Sequence, residues 1–221
     1  MVFYHGCRSG SQITITIVLD VKLGTDCWDY HILEQCAKDI KGVEGLVCEV
    51  GTREGGSLQI IINALLDNSD TGRHVISVDP YGNIPYYGEN GITRFDYTND
   101  MKKRALKNLY AISENKDFNL VTLTLTDAQF FNRFADGVPV YDREERIIDK
   151  YAMVFLDADH SVEAVRNQVA FFLPRLCDGG FIIVDDVDWF VGNQEFDDIF
   201  VGMSLAYSAP KKKAYKKPPT D

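Results

Sequence analysis

Gly45-Leu46-Val47-Cys48-Glu49-Val50-Gly51-Thr52-Arg53-Glu54-Gly55-Gly56-Ser57-Leu58-Gln59-Ile60-Ile61 changes character three times in one short stretch. The run at 45–50, apolar apart from Glu49, suits a strand covered on both faces. Gly51 permits a sharp turn, and Gly55 and Gly56 open a segment whose apolar residues recur at helical spacing. Strand, glycine turn and helix in that order form the first unit of a parallel α/β sheet.

The alternation repeats outward from there. Strands are expected at 74–79, 119–125, 151–157 and 181–186, each short and rich in Val, Ile, Leu or Phe. Helices are expected at 57–66 and 99–112, the second carrying Ala105, Leu106, Leu109 and Ile112 on one face. A further helix follows Ser161, a suitable N-cap, with Val162, Val165, Val169 and Phe172 in step until Pro174 and Gly179-Gly180 stop it. A helix at 28–40 precedes the first strand and should lie beside the sheet edge. Gln12-Ile13-Thr14-Ile15-Thr16-Ile17 alternates as a strand does, at an edge or in a contact between copies of a homo-oligomer. The fold class is therefore α/β, a Rossmann-like and mostly parallel central sheet with helices on both faces.

The 221 residues, 45% hydrophobic, suffice for one substantial core. The expected division is an extension at 1–25, a domain at 26–210 and a Lys-rich tail at 211–221. The net charge is −10, yet the tail holds five Lys against one Asp, leaving −14 for the body. A body so acidic repels nucleic-acid phosphates, and the tail is expected to be solvated or frayed. No run of 18 apolar residues and no secretory pattern at Met1-Val2-Phe3-Tyr4-His5 appears, so a cytoplasmic protein without a membrane partner is expected. Cys7, Cys27, Cys36, Cys48 and Cys177 are scattered, form no C-x-x-C pair and read as free thiols.

Parallel sheets bind ligands beyond the carboxyl ends of their strands. At the first end stand Glu49, Gly51, Arg53, Gly55, Gly56 and Ser57, in an E-x-G-x-x-x-G pattern. A carboxylate beside a pyrophosphate is repulsive, whereas beside a sulfonium and an amino group it is tolerable, which favours S-adenosylmethionine; the alternative is a glycine turn with no ligand. Asp79 ends the second strand, where a carboxylate accepts both ribose hydroxyls of an adenosine or begins a turn before Pro80. Asp127, after the third, is placed to read an adenine amino group or to cap a helix.

The densest signal is the pair Phe155-Leu156-Asp157-Ala158-Asp159-His160-Ser161 and Ile183-Val184-Asp185-Asp186-Val187. Both close buried strands, so four carboxylates converge and repel one another unless something positive sits among them. A divalent cation with oxygen ligands, Mg²⁺ most simply, resolves the conflict; as N-caps and turn formers the same residues need none. His160 is a ligand, a base or a hydrogen-bonded neighbour of the cluster. The segment 81–97, with Tyr86, Tyr87, Ile92 and Phe95, is a cover for a small acceptor or a packed surface loop.

With these segments the chain resembles the cation-dependent small-molecule O-methyltransferases, especially those that methylate sugar hydroxyls of macrolide and aminocoumarin antibiotics. The resemblance runs from about residue 45 to 187. It is carried by the glycine loop, by Asp79 with Pro-Tyr-Gly-Asn-Ile-Pro after it, by D-x-D-H-S-x-E-A-V from Asp157, and by Gly-Gly-Phe-Ile-Ile-Val-Asp-Asp at 179–186. It implies a class I methyltransferase fold, Asp157, Asp185 and Asp186 as metal ligands, Asp159 as general base with His160 beside it, and Glu49, Gly51, Asp79, Asp127 and Asp157 around S-adenosylmethionine. The metal would lower the pKa of an acceptor hydroxyl, one of a neighbouring pair. The family ends in an antiparallel hairpin, for which 200–207 and the Lys-rich tail offer little material. Two other functions fit the same residues: an accessory protein that binds the cofactor without turnover, and another metal-dependent enzyme, against whose use of iron stands the lack of a two-His-one-carboxylate set.

Overall fold

Strands buried on both faces must alternate their side chains between two cores. In the computed structural model, which describes residues 28–82, 84–87, 93–113, 119–141 and 144–220 (side chains of 84–87 and 93–96 excepted), they do so. The chain runs α1 (Tyr30–Asp39), β1 (Leu46–Val50), α2 (Gly56–Asp67), β2 (His74–Val78), β3 (Ile84–Tyr87), β4 (Thr93–Tyr97), α3 (Asn99–Ser113) and β5 (Asn119–Leu123). It continues through α4 (Asp127–Arg133), β6 (Val138–Tyr141), β7 (Glu145–Ile148), β8 (Tyr151–Leu156), α5 (Val162–Phe172) and β9 (Leu176–Val184). The last elements are α6 (Gln194–Asp197), β10 (Ser204–Ser208) and β11 (Lys213–Lys216).

A seven-stranded sheet has the order β10-β11-β9-β8-β1-β2-β5. All its pairs from β9 to β5 are parallel, while β10 and β11 are antiparallel. This is the Rossmann-like class I methyltransferase architecture. Val47, Val75, Met153, Phe155, Phe181 and Ile183 face one core with α1, α2 and α3. Cys48, Val50, Ile76, Val154, Ile182 and Val184 face the other with α4 and α5. Phe130 and Phe131 of α4 meet Phe171 and Phe172 of α5 there, with the Phe131 and Phe171 rings stacked 4.4 Å apart.

Three expectations need correction. Helix α1 packs on a face of the sheet, through Ile32, Leu33, Cys36 and Ala37, rather than beside its edge. Helix α5 ends at Phe172 in a 3-10 turn containing Pro174, and Gly179 and Gly180 lie inside β9. Gly180 is there because a Cβ would stand 2.7 Å from the Ala152 carbonyl oxygen on β8.

The third correction concerns the Lys-rich end. It is no solvated tail, because β11 is an interior strand between β9 and β10, and Lys212 is wholly buried. Ala214 and Tyr215 fill the two cores, and the Tyr215 ring stacks on Phe200 at 3.8 Å. The terminal hairpin is thus complete. The alternating stretch at 12–17, the extension at 1–25, Cys7, Cys27 and Ile92 lie outside the described residues. Cys36, Cys48 and Cys177 are free thiols, and burial raises the pKa of each.

Candidate active site

The carboxyl end of β1 is tied down by side chains of its neighbours. Gly51, at φ 93, donates its N–H to the Val78 carbonyl at 2.8 Å. The buried Asp79 then holds the loop, its Oδ2 accepting the N–H groups of Thr52 at 3.0 Å and Arg53 at 2.8 Å. Its Oδ1 accepts the Tyr81 N–H at 3.1 Å, and the Tyr81 hydroxyl donates to the Arg53 carbonyl at 2.6 Å. Asp79 is thus the clasp between the β1 and β2 ends. Gly55 at φ 89 caps α2, and Gly56 is its first residue.

Glu49 is wholly buried beneath that loop. Its Oε1 accepts the Ser57 hydroxyl at 2.5 Å, while its Oε2 is buried without a hydrogen-bond partner. Burial pushes its carboxyl from near 4.5 up to about 8, against the Ser57 and Thr52 hydroxyls, which lower it. The folded chain therefore holds this proton more tightly than the unfolded one. That contribution to stability is complete below pH 4.5 and disappears as the pH rises through about 8. We expect thermal melts of the ligand-free chain across this window to show a loss of stability that Glu49→Gln largely removes.

Beside this loop a cleft is lined by Gly51, Arg53, Tyr97, Asp157, His160, Asp185 and Asp186. The parallel pairing of β8 with β9, Leu156 opposite Val184, brings Asp157 and Asp185 together as expected. His160 lies between carboxylates, its Nε2 3.9 Å from Asp157 and 3.7 Å from Asp186, with its ring edge-on to Trp189 at 5.1 Å. Arg53, Tyr81 and Asp186 adopt left-handed backbone conformations. Such strain gathers at binding sites, where surrounding contacts hold it in place.

A family profile described as "Methyltransferase domain" matches residues 48–187, more than half of the chain. The chain belongs to this methyltransferase family. No curated protein matches it in sequence. Among solved structures, it is similar to the O-methyltransferase NovP (18% identity, TM-score 0.57, covering 86% of this chain and 79% of NovP). It is similar to the calicheamicin methyltransferase CalS11 (15% identity, TM-score 0.61, 85% and 78% covered). The O-methyltransferase TomG from Streptomyces achromogenes, involved in tomaymycin synthesis, is a third (12% identity, TM-score 0.55, 86% and 79% covered).

Of the expected site residues, Glu49, Gly55, Gly56, Ser57 and Asp79 lie in the loop region beside the cleft without lining it, and Asp127 and Asp159 stand apart from it. Asp159 accepts the Ser161 N–H at 2.8 Å at the start of α5, and with Asp127 it lines a separate crevice between α4 and α5. Asp127 does not cap α4, because Thr126 does so in a capping box with Gln129. Its carboxylate instead accepts from the buried Gln168 amide at 3.0 Å.

Residues that sequence reading left out are Tyr97, on the cleft wall, and Lys212, whose Nζ lies 2.5 Å from Asp185. The signal for Lys212 was present, as a Lys run complementary in charge to the Asp-Asp pair. It becomes visible only once the last strand is paired with β9.

Proposed function

We propose that the methyltransferase transfers a methyl group from S-adenosylmethionine to a hydroxyl of a small molecule, a sugar or other vicinal diol. The observation that carries this reading is Glu49 Oε2, an acceptor buried without a partner at the glycine-loop end of β1. A cationic ligand with an N–H donor satisfies it. S-adenosylmethionine has both an amino group and a sulfonium, and the sulfonium supplies the electrophilic methyl. The kinship of fold with TomG in complex with S-adenosylmethionine and with the TDP-rhamnose 3'-O-methyltransferase CalS11 supports both halves of the reading.

Within the chain, Glu49, Gly51, Arg53, Gly55, Gly56, Ser57 and Asp79 shape the cofactor end, and Asp157 adjoins it. His160 is the side chain in the cleft suited to take the acceptor's proton, since the charge it gains falls between Asp157 and Asp186. Asp159 faces elsewhere and is left as an N-terminal anchor of α5.

The resemblance adds a divalent cation, Mg²⁺, on Asp157, Asp185 and Asp186. As placed, these residues do not fit one: Lys212 is already on Asp185, Lys211 Nζ is 3.6 Å from Asp186, and among the described residues no three His, Cys, Asp or Glu side chains form a metal-holding group. No helix among the described residues is long and apolar enough to cross a membrane. A small hydroxylated acceptor that reaches the cleft from solution suits this chain.

Incubation with methyl-labelled S-adenosylmethionine and a panel of nucleotide sugars, glycosides and catechols tests the reading. Label is expected on a hydroxyl of at least one diol. Cofactor binding with no transfer to any acceptor favours the accessory role instead. In the same assays Asp79→Ala should weaken S-adenosylmethionine by about 1–3 kcal/mol, because the loop loses its charge-assisted clasp. Unchanged cofactor affinity removes Asp79 from the cofactor end of the site.

A further inference from the structure

The Lys-rich end meets the acidic cluster from within the sheet. Strand β11 pairs antiparallel with β9, with Lys213 opposite Val184. Carried past the strand ends, that register sets Lys212 opposite Asp185 and Lys211 opposite Asp186. The contacts agree with it. Lys212 Nζ lies 2.5 Å from Asp185 Oδ1, the two side chains 0% and 5% exposed. Lys211 Nζ lies 2.6 Å from Asp188 and 3.6 Å from Asp186, and the Val187 N–H donates to the Lys211 carbonyl at 3.1 Å.

A lysine so completely buried stays charged only if its partners offset the lost hydration. The charge-assisted bond to Asp185 does most of this, and the Phe155 ring, 5.1 Å from Nζ, adds a cation–π contact. The Lys212 charge also bears on Glu49, whose carboxyl it lowers. A divalent ion needs Asp185 oxygen in its own coordination sphere. Lys212 already holds Oδ1, so an ion at this carboxylate is left with Oδ2 and meets the repulsion of the buried ammonium.

We propose that Lys212, assisted by Lys211, is a built-in cation on the Asp185-Asp186 pair that the resemblance makes metal ligands, so that the site assembles and binds its cofactor without a divalent metal. This rests on the methyltransferase reading of the site. Asp157, Asp185 and Asp186 on the cleft wall need positive charge near them, and the chain supplies it covalently through the register of its last strand. Lys212 is closed off from solvent and so acts by balancing and positioning Asp185, while Lys211 at the rim neutralises Asp186 and Asp188.

The test measures Mn²⁺ binding by electron paramagnetic resonance to the native chain, Lys212→Met, Lys212→Arg and Asp185→Asn. S-adenosylmethionine binding is followed in parallel by calorimetry, with chelator and with added Mn²⁺. The native chain and Lys212→Arg should hold no Mn²⁺ below about 1 mM, and chelator should leave cofactor affinity within about twofold. Lys212→Met, with Asp185 released, should bind Mn²⁺ at least about tenfold more tightly than the native chain and melt at a higher temperature with the ion present.

Micromolar Mn²⁺ binding by the native chain that Asp185→Asn abolishes overturns the proposal, as does cofactor binding that chelator removes and Mn²⁺ restores. So does a folded Lys212→Met that gains no Mn²⁺ affinity. If Lys212→Met folds only when Mn²⁺ is added, the proposal gains support. If it folds under neither condition, the native chain decides: bound Mn²⁺ overturns the proposal and its absence supports it. Failure of S-adenosylmethionine to bind under every condition instead undoes the methyltransferase reading, and the Mn²⁺ result still reports on the lysines.

Discussion

Gly51→Ala is expected to destabilise the protein by about 4 kcal/mol or more and to abolish cofactor binding. A Cβ at this position would stand 1.8 Å from the Asp157 carbonyl oxygen and 2.5 Å from its carbonyl carbon, with φ at +93. Backbone is what it meets, so no side chain can swing aside. The ends of β1 and β8 would have to part, breaking the bond from the Asp157 N–H to the Val50 carbonyl at 2.8 Å. Urea unfolding should show a lower midpoint at an unchanged slope. Gly42→Ala is the control: its φ is +83, but a Cβ there meets nothing within 4 Å, and a left-handed alanine alone costs about 1–2 kcal/mol. Equal losses for the two variants would mean that the contact between β1 and β8 is not the reason for glycine at 51.

His160→Asn should lower turnover by about 10²- to 10⁴-fold with little change in cofactor affinity, as loss of a general base does. Asp159→Asn should stay within a few-fold of the native rate, since Asp159 caps a backbone N–H and lines the α4–α5 crevice. This reverses the ranking that the D-x-D-H motif suggests when read by resemblance. The reversal comes from the start of α5: Ser161 caps the helix by accepting the Ala164 N–H at 3.1 Å, which turns Asp159 outward and leaves His160 on the cleft wall. A rate that collapses in Asp159→Asn and survives in His160→Asn would restore the motif-based assignment.

The parallel half of the sheet was legible because its strands are short runs rich in apolar residues and Gly51, Asp79 and Asp157 stand at their ends. The antiparallel end was not. Lys213-Ala214-Tyr215-Lys216 has only two apolar residues, and a strand so short and charged is stable only through long-range partners: Asp185 for Lys212, and the two cores for Ala214 and Tyr215. The hairpin of β6 with β7 went unread because each strand is only four residues long, Pro139 disfavours a strand reading, and β7 shows no alternation of buried and exposed residues. At the site, β8 and β9 bring Asp157, Asp185 and Asp186 to one cleft, while Asp159 lines another. What sequence spacing could not show was that the pairing of β11 with β9 sets Lys212 and Lys211, just before β11, beside Asp185 and Asp186.

The most direct measurement is a calorimetric titration of the native chain and of Glu49→Gln with S-adenosylmethionine, near pH 7, in two buffers of different ionisation enthalpy. Glu49, with its carboxyl pushed up to about 8, is largely protonated before binding and must release that proton to receive a cation. The account predicts one cofactor bound per chain, with proton release in the native protein that is lost, together with much of the affinity, in Glu49→Gln. No binding by the native chain, or equal affinity in Glu49→Gln, would contradict it.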